Sequence, residues 1–460
     1  MGGSIYEGNR IKLKGQGRNY FINHTVEREI AVDKHKLLIL GSDFVTISVV
    51  KEAKKLGIYV IVADLMQNSP TKEEADEAWL ISTTDIDLLE QKCKEEEVTA
   101  IMFGASDFNI ENARVLCRRL NLPIYCDNDS SWKAARNKSV FKEICKQTGA
   151  PVAKDYYITD NMSKMELDSV EYPVVVKPVD KSGNRGMSYC HNQEQLVAAY
   201  KKAREISDNE RIIVEQCLSG VEYNINYVCA DGEIRLLSFS RLHHQPGQLS
   251  NLYSFEMACE YHLKQYLEEV NDYLIAAFKK ANCRDGIVWV DAIRDENDGK
   301  FYLLEMGYRF PGALLHAPYC DVTGFSTVKW MLECSLGVKH RIEDMPQPLN
   351  NALGGFAASI HLFTNHEGKV GRIDGLDELI KNPNIYIDMP KREGGFVREY
   401  ACMGLIGIYA KDFDELCKTI DWINSTLKIT DENGENLLIY FNDYETLRKE
   451  HEAGIKEFQV

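Results

Sequence analysis

From residue 36 the chain reads KLLILGSDFVTISVVKEAKKLGIYVIVAD. An apolar run, a short polar turn, a stretch with apolar positions three and four apart and a second apolar run predict strand, turn, amphipathic helix and strand, a βαβ unit. Only Gly41 stands in the turn where a dinucleotide fingerprint needs three glycines, so the unit reads as a Rossmann-like half-domain without its dinucleotide. A buried strand over 98–104, a helix over 109–120 and a short strand over 123–125 carry the parallel-sheet pattern to about residue 130.

Beyond it a helix opens at Lys138 and stops at Thr148-Gly149-Ala150-Pro151. A lysine there opposes the helix dipole and is out of place unless an anion lies near. An apolar strand over 172–178 ends in Lys177-Pro178. It runs into a loop containing Gly183, Asn184 and Gly186, glycines spaced to let backbone N–H groups cover phosphates. The order of residues is not that of a P-loop. Strands over 211–218, 223–229 and 234–241 follow, with Glu215 and Glu222 at strand ends.

Residues 286–312, GIVWVDAIRDENDGKFYLLEMGYRFPG, predict a hairpin about an Asp-Gly turn. With period-two alternation, Ile287, Trp289, Asp291 and Ile293 share one face of the first arm, and Phe301, Leu303, Glu305 and Gly307 one face of the second. A register centred near Asp298 sets Asp291 opposite Glu305, a pair suited to Mg²⁺ on nucleotide phosphates. Arg309 points the same way and offers a planar fork for a phosphate or carboxylate. Taken alone, the segment fits a surface hairpin with solvated acids equally well.

Composition narrows the class. At 460 residues, 44% hydrophobic and 27% charged, the chain is expected to be multidomain and globular. No apolar run approaches a membrane span and no signal peptide is visible, so no membrane partner is expected. A net charge of −16 without a basic block argues against nucleic acid. The 13 cysteines lie singly, without CxxC pairs, as reduced small hydrophobes of a cytoplasmic protein would.

Lys138, Lys177, the glycine loop, Glu215 to Glu222 with Leu218 between them, Asp291, Glu305 and Arg309, in that order, resemble the ATP-grasp superfamily. The similarity covers about residues 36–445 and is nearest to its carboxylate-amine ligase branch, amino-acid ligases among them, with biotin carboxylase and D-alanine-D-alanine ligase more distant. It implies an α/β and α+β multidomain fold. An N-terminal arm (1–35) would precede a Rossmann-like pre-ATP-grasp domain (36–130), a two-lobed ATP-grasp domain (131–345) and a small β-rich, lid-like C-terminal domain (346–460).

The resemblance also implies roles. Lys138 and Lys177 would contact the ATP phosphates, and Gly183, Asn184 and Gly186 would close over them. Glu215 and Leu218 would frame adenine, and Glu222 would take the ribose. Asp291 and Glu305 would hold Mg²⁺, or Mn²⁺ in its place. Arg309 would bind the transferred phosphate or substrate carboxylate, with Arg241, at the end of a strand facing the cleft, a further phosphate contact. The family pattern ExNxR reads Glu305-Met306-Gly307-Tyr308-Arg309 here, so Gly307 offers no side-chain ligand.

The reaction so implied joins a small carboxylate, through an acylphosphate, to a small amine, with ADP and phosphate released; a homodimer is implied by the family alone. Carboxylation through carboxyphosphate and a non-catalytic ATP-binding protein are the competing readings. His243 and His244, beside Gln245 to Gln248, and His316 are further polar candidates, each fitting an ordinary polar site as well.

Overall fold

The computed structural model describes residues 35–180, 186–208, 211–244, 252–347 and 354–457. Gly183, Asn184, residues 245–248 and the N-terminal arm, save residue 35, lie outside the described residues. Four parallel strands open the fold: β1 (Lys36–Leu40), β2 (Tyr59–Ala63), β3 (Glu77–Trp79) and β4 (Ala100–Phe103), in the order β3-β2-β1-β4. Leu37 to Leu40 and Ala100 to Phe103 are wholly buried because helices cover both faces, which is why these strands read as unbroken apolar runs. The expected strand over 123–125 does not form. Tyr125 instead turns inward, donating its hydroxyl to the Tyr308 carbonyl at 3.0 Å.

The mouth of this sheet explains the missing dinucleotide. Gly41 sits at φ +88°, where a Cβ would lie 2.2 Å from the Asn109 side chain, and the Asp43 carboxylate lies against Gly104. Asp43 accepts hydrogen bonds from the Ala105 N–H and the Asn109 amide, both at 3.3 Å. An acid thus fills the place a pyrophosphate would take.

Burial pushes Asp43 up to about 7, against the lowering pull of Asn109 and Ala105. Its folded value lies above its unfolded one, so the stability it contributes is full below about pH 4 and is lost as pH rises through about 7. Asp43→Asn keeps the shape without the charge. Its melting temperature should therefore gain on the wild type by on the order of 2–4 °C between pH 5.5 and 8; a difference that stays flat with pH would contradict this.

Next comes a four-stranded antiparallel sheet, β5 (Asp155–Tyr156), β6 (Val174–Pro178), β7 (Ser188–Cys190) and β8 (Ile212–Gln216), ordered β5-β8-β6-β7. The largest sheet begins with β9 (Gly220–Ala230), β10 (Glu233–His244), β11 (Tyr253–Ala258), β12 (Gly286–Asp295), β13 (Phe301–Gly307) and β14 (Phe356–Phe363). Of the later strands β15 (Gly368–Asp374), β16 (Ile385–Asp388), β17 (Phe396–Val397), β18 (Cys402–Ala410) and β19 (Lys428–Asp431), β16 and β18 join it. Its order is β13-β12-β9-β10-β11-β14-β18-β16, while β15, β17 and β19 form a separate small sheet. Because β11 pairs with β14, the sheet carrying Asp291 and Glu305 continues across residue 346 into the C-terminal region.

The sheet's two faces differ. Tyr223, Phe239, Tyr266 and Phe301 stack on one. The other carries Glu222, Asn224, Asp291 and Glu305. The thirteen cysteines are free and buried or half-buried. Among the described residues no helix is long and apolar enough to cross a membrane.

Candidate functional site

Asp291 faces Glu305 across the β12–β13 hairpin, as the register predicts. One feature of the expected alternation fails. Ala292 pairs with Leu303, so Leu304 is the extra residue of a bulge. The bulge turns Leu303 and Phe301 to the aromatic core face, where both are buried, and leaves Glu305 and Gly307 on the face with Asp291. The grouping of Phe301 and Leu303 with Glu305 is thereby corrected.

Each acid has its own surroundings. Asn224, opposite Asp291 on β9, donates its amide to Oδ1 at 2.7 Å. Burial, then the charge of Glu305, pushes Asp291 up to about 7. Burial would also raise Glu305, but the nearby lysines Lys138 and Lys177 hold it below the usual range. Lys138 Nζ lies 2.6 Å from Glu305 Oε2. Its helix, Lys138–Thr148, opens on the Asn137 side chain, which accepts from the Ser139 and Val140 N–H groups, so the anion that excuses a lysine at a helix start is Glu305.

A second cluster backs the first. Glu215, on β8, ion-pairs with both Lys177 of β6 and Lys142 of the same helix as Lys138. Lys142 is 1% exposed. Burial lowers Lys177 to about 8, with Lys138 adding repulsion; Lys142 is driven well below the usual lysine range by burial and by Lys177. Lys142 is absent from the sequence expectation, although it lies four residues past Lys138 and so on the same helix face.

Arg309 follows β13 and ion-pairs with Asp107 at 2.6 Å. Asp107 begins the helix Asp107–Leu120 and also holds Arg136 at 3.2 Å. Sequence reasoning misses it; its one signal is an acid in a first helical turn. The Arg309 guanidinium lies 5.0 Å from the centre of the Trp289 ring, a cation–π contact.

Trp289 in turn explains Gly307. The two residues are cross-strand partners, and a Cβ at Gly307 would come within 2.2 Å of the indole. The indole occupies the space an asparagine side chain would need. Gly307→Asn should cost about 1–3 kcal/mol by overpacking, read as a lower urea midpoint. Trp289→Leu in the same chain should restore most of it, and a Gly307→Asn protein as stable as wild type would contradict the packing account.

The remaining expected residues divide. Glu222 lies on the Asp291 face with His244 Nε2 3.4 Å from its carboxylate. Leu218 is half-buried in the turn between β8 and β9, and Gly186, at φ +78°, leads into β7. Arg241 is corrected. Strand β10 runs on to His244, and Arg241 pairs with Tyr223, which puts it on the face opposite Asp291. There it ion-pairs with Glu450 at 3.3 Å, too far round the sheet to serve as a phosphate contact. His243 is buried on that same face against Phe255 and Phe441. His316 is buried, which lowers it to about 4 and keeps it neutral.

Comparison with known proteins bears on the fold that carries these residues. Residues 144–327 match the family described as D-ala D-ala ligase C-terminus. A formate-dependent phosphoribosylglycinamide formyltransferase of Prochlorococcus marinus subsp. pastoris is 27% identical over 190 residues, 40% of this chain and 48% of the relative. The chain thus spans about half the length of the curated relatives it first matches. Among solved structures, the L-amino acid ligase from Bacillus licheniformis superposes with a TM-score of 0.70 at 18% identity, covering 89% of this chain and 99% of that one. The biotin carboxylase domain dimer of Hydrogenobacter thermophilus 2-oxoglutarate carboxylase, in complex with MgADP, ADP and bicarbonate, gives 0.69 at 18% identity over 86% and 91%. The resemblance to ATP-grasp ligases, and the mixed α/β and α+β multidomain fold it implies, are borne out.

Proposed function

We propose that this chain, an ATP-grasp fold with a D-ala D-ala ligase C-terminal segment at its centre, is an ATP-dependent ligase that joins a small carboxylate to an amine. The observation that carries the reading is the convergence at one hairpin of two opposed carboxylates, Asp291 and Glu305, with Lys138, Lys177 and Arg309 around them.

The donor set suits a hard cation. Both acids offer oxygen, and Asn224 fixes the Asp291 carboxylate from behind. Mg²⁺ held by Asp291 and Glu305 would neutralise phosphate charge, and Mn²⁺ fits the same oxygens. Lys138 and Lys177 would bind ATP phosphates, releasing their own acids as they do so. Arg309, held by Asp107 and stacked on Trp289, would orient the carboxylate. A carboxylate oxygen attacks the γ-phosphorus, the bond to the β-phosphate oxygen breaks and ADP leaves. The amine nitrogen then attacks the acyl carbon, losing a proton, and phosphate departs. Such chemistry needs positioned charge rather than a nucleophilic side chain. Glu215, Leu218, Glu222, Gly183, Asn184 and Gly186 belong to the nucleotide site in the same proposal, as does a homodimer, the assembly of the Hydrogenobacter domain.

Hydroxylamine intercepts acylphosphates, so the test does not depend on which amine the protein accepts. The protein with Mg²⁺, ATP and hydroxylamine is screened against a panel of carboxylic acids. At least one acid should give hydroxamate and ADP in equal amounts. ADP release driven by bicarbonate alone would establish carboxylation instead, and ATP binding without ADP from any acid would establish a binding protein.

A further inference from the structure

The face of the large sheet that carries Asp291 continues across β9 and β10 to β11 and β14. Register fixes this: Ile293 pairs with Glu222, Glu222 with Leu242, Leu242 with Glu256 and Glu256 with Ser359, while Asp291 pairs with Asn224 and Asn224 with Ser240. His361, two residues from Ser359, points the same way, and Ser254 beside it is the extra residue of a bulge opposite His244.

Four of these side chains are buried without being satisfied. Ser240, Ser254, Glu256 and His361 are 0%, 1%, 1% and 4% exposed. Ser240 Oγ, Ser254 Oγ, Glu256 Oε1 and His361 Nε2 have no hydrogen-bond partner among the described residues. An unpaired buried polar atom is costly, and three on one contiguous face with a fourth in the adjoining bulge call for a polar occupant. Glu256 names its sign. Burial, then the charge of Asp291, pushes it up to about 8, and no cationic side chain figures among the groups that act on it. The Ser240 hydroxyl, close by but outside hydrogen-bond geometry, offsets only part of this rise. His361 is lowered to about 3 by burial and stays neutral. Burial alone favours the neutral acid, and the ionised form of Glu256, with no cationic side chain acting on it, is completed by a cation brought from outside.

We propose that Glu256, with Ser240, Ser254 and His361, forms the pocket for the ammonium group of the amine substrate. Three strand spacings, roughly 14 Å, separate Glu256 from Asp291 along the sheet. The loop ahead of the helix His316–Thr323 borders the pocket, for the Leu314 N–H donates to Ser359 Oγ at 3.2 Å. That the occupant is the amine rather than the acid rests on the ligase reading; that it is a cation does not.

Ethylammonium chloride is the probe, observed by saturation-transfer NMR on the full chain at pH 8.5, with and without Mg-ADP, and with ethanol as the neutral isostere. Wild type should give saturable transfer to ethylammonium and little to ethanol. Glu256→Gln should reduce the ethylammonium signal about tenfold or more. Its melting temperature should be no lower than that of wild type, since the isostere removes a buried charge, so the loss cannot be unfolding. Equal ethylammonium signals in both proteins, no signal in wild type, or equal transfer to ethanol would each overturn the pocket. Calorimetry of Mg-ADP on the same samples is the separate test of the nucleotide site: its failure would count against the ligase reading and leave the cation result to decide the pocket.

Discussion

Glu305→Ala should lower carboxylate-dependent ADP release by on the order of 10²–10³ while scarcely moving the melting temperature. Glu305 faces Asp291 across the hairpin and holds Lys138 at 2.6 Å. Without it a single acid is left for the metal, and Lys138 loses the partner that orients it. The effect on folding is small because about a third of the Glu305 side chain is open to the cleft, where solvent screens the ion pair. The rate should fall and the Mg²⁺ concentration needed for half-maximal activity should rise. Undiminished ADP release would remove Glu305 from the site, and a large loss of stability would make its role structural.

Glu215→Ala should show the opposite balance in its largest effect, a loss of about 3–5 kcal/mol in unfolding free energy. Glu215 is 3% exposed and lies between Lys142 and Lys177, of which Lys142 is 1% exposed. Its removal leaves two buried lysines facing each other, each already lowered by burial and Lys142 also by Lys177. Chemical denaturation measures the loss. A second change, Lys142→Met, should recover part of it, because only Lys177, which still has the charge of Glu305 near it, is then left without Glu215. If the double variant is as unstable as Glu215→Ala alone, Lys142 and Glu215 are not the coupled pair that the geometry describes.

What the sequence discloses follows from periodicity, and what it withholds depends on contacts between distant strands. The βαβ unit, the helix at Lys138 and the meeting of Asp291 with Glu305 all come from local pattern. A bulge shifts parity by one residue without changing composition, so nothing in the second arm marks Leu304, and strict alternation puts Leu303 on the wrong face. Arg241 fails for the same kind of reason. Strand β10 is longer than its apolar pattern, and one step of alternation separates the cleft from the face bearing Glu450.

Residues 123–125 read as a strand from their apolar character, which Tyr125 uses instead to pack beneath Tyr308. Asp107 and Glu256 are invisible in the chain because each gains meaning only from what lies opposite it, Arg309 for one and an unsatisfied sheet face for the other. Gly307 is the reverse case. The departure from ExNxR is plain in the chain, but its cause, the Trp289 indole in the space above it, needs the register of the pair.

The central claim is that a carboxylate is activated by phosphoryl transfer on the Asp291–Glu305 platform. An acid identified by hydroxamate formation, labelled with ¹⁸O in its carboxylate and incubated with protein, Mg²⁺, ATP and an accepted amine or hydroxylamine, tests it most directly by mass spectrometry of the products. The account predicts one ¹⁸O in the released phosphate and none in the nucleotide, which leaves as ADP. Phosphate without label, or label in AMP, would contradict it.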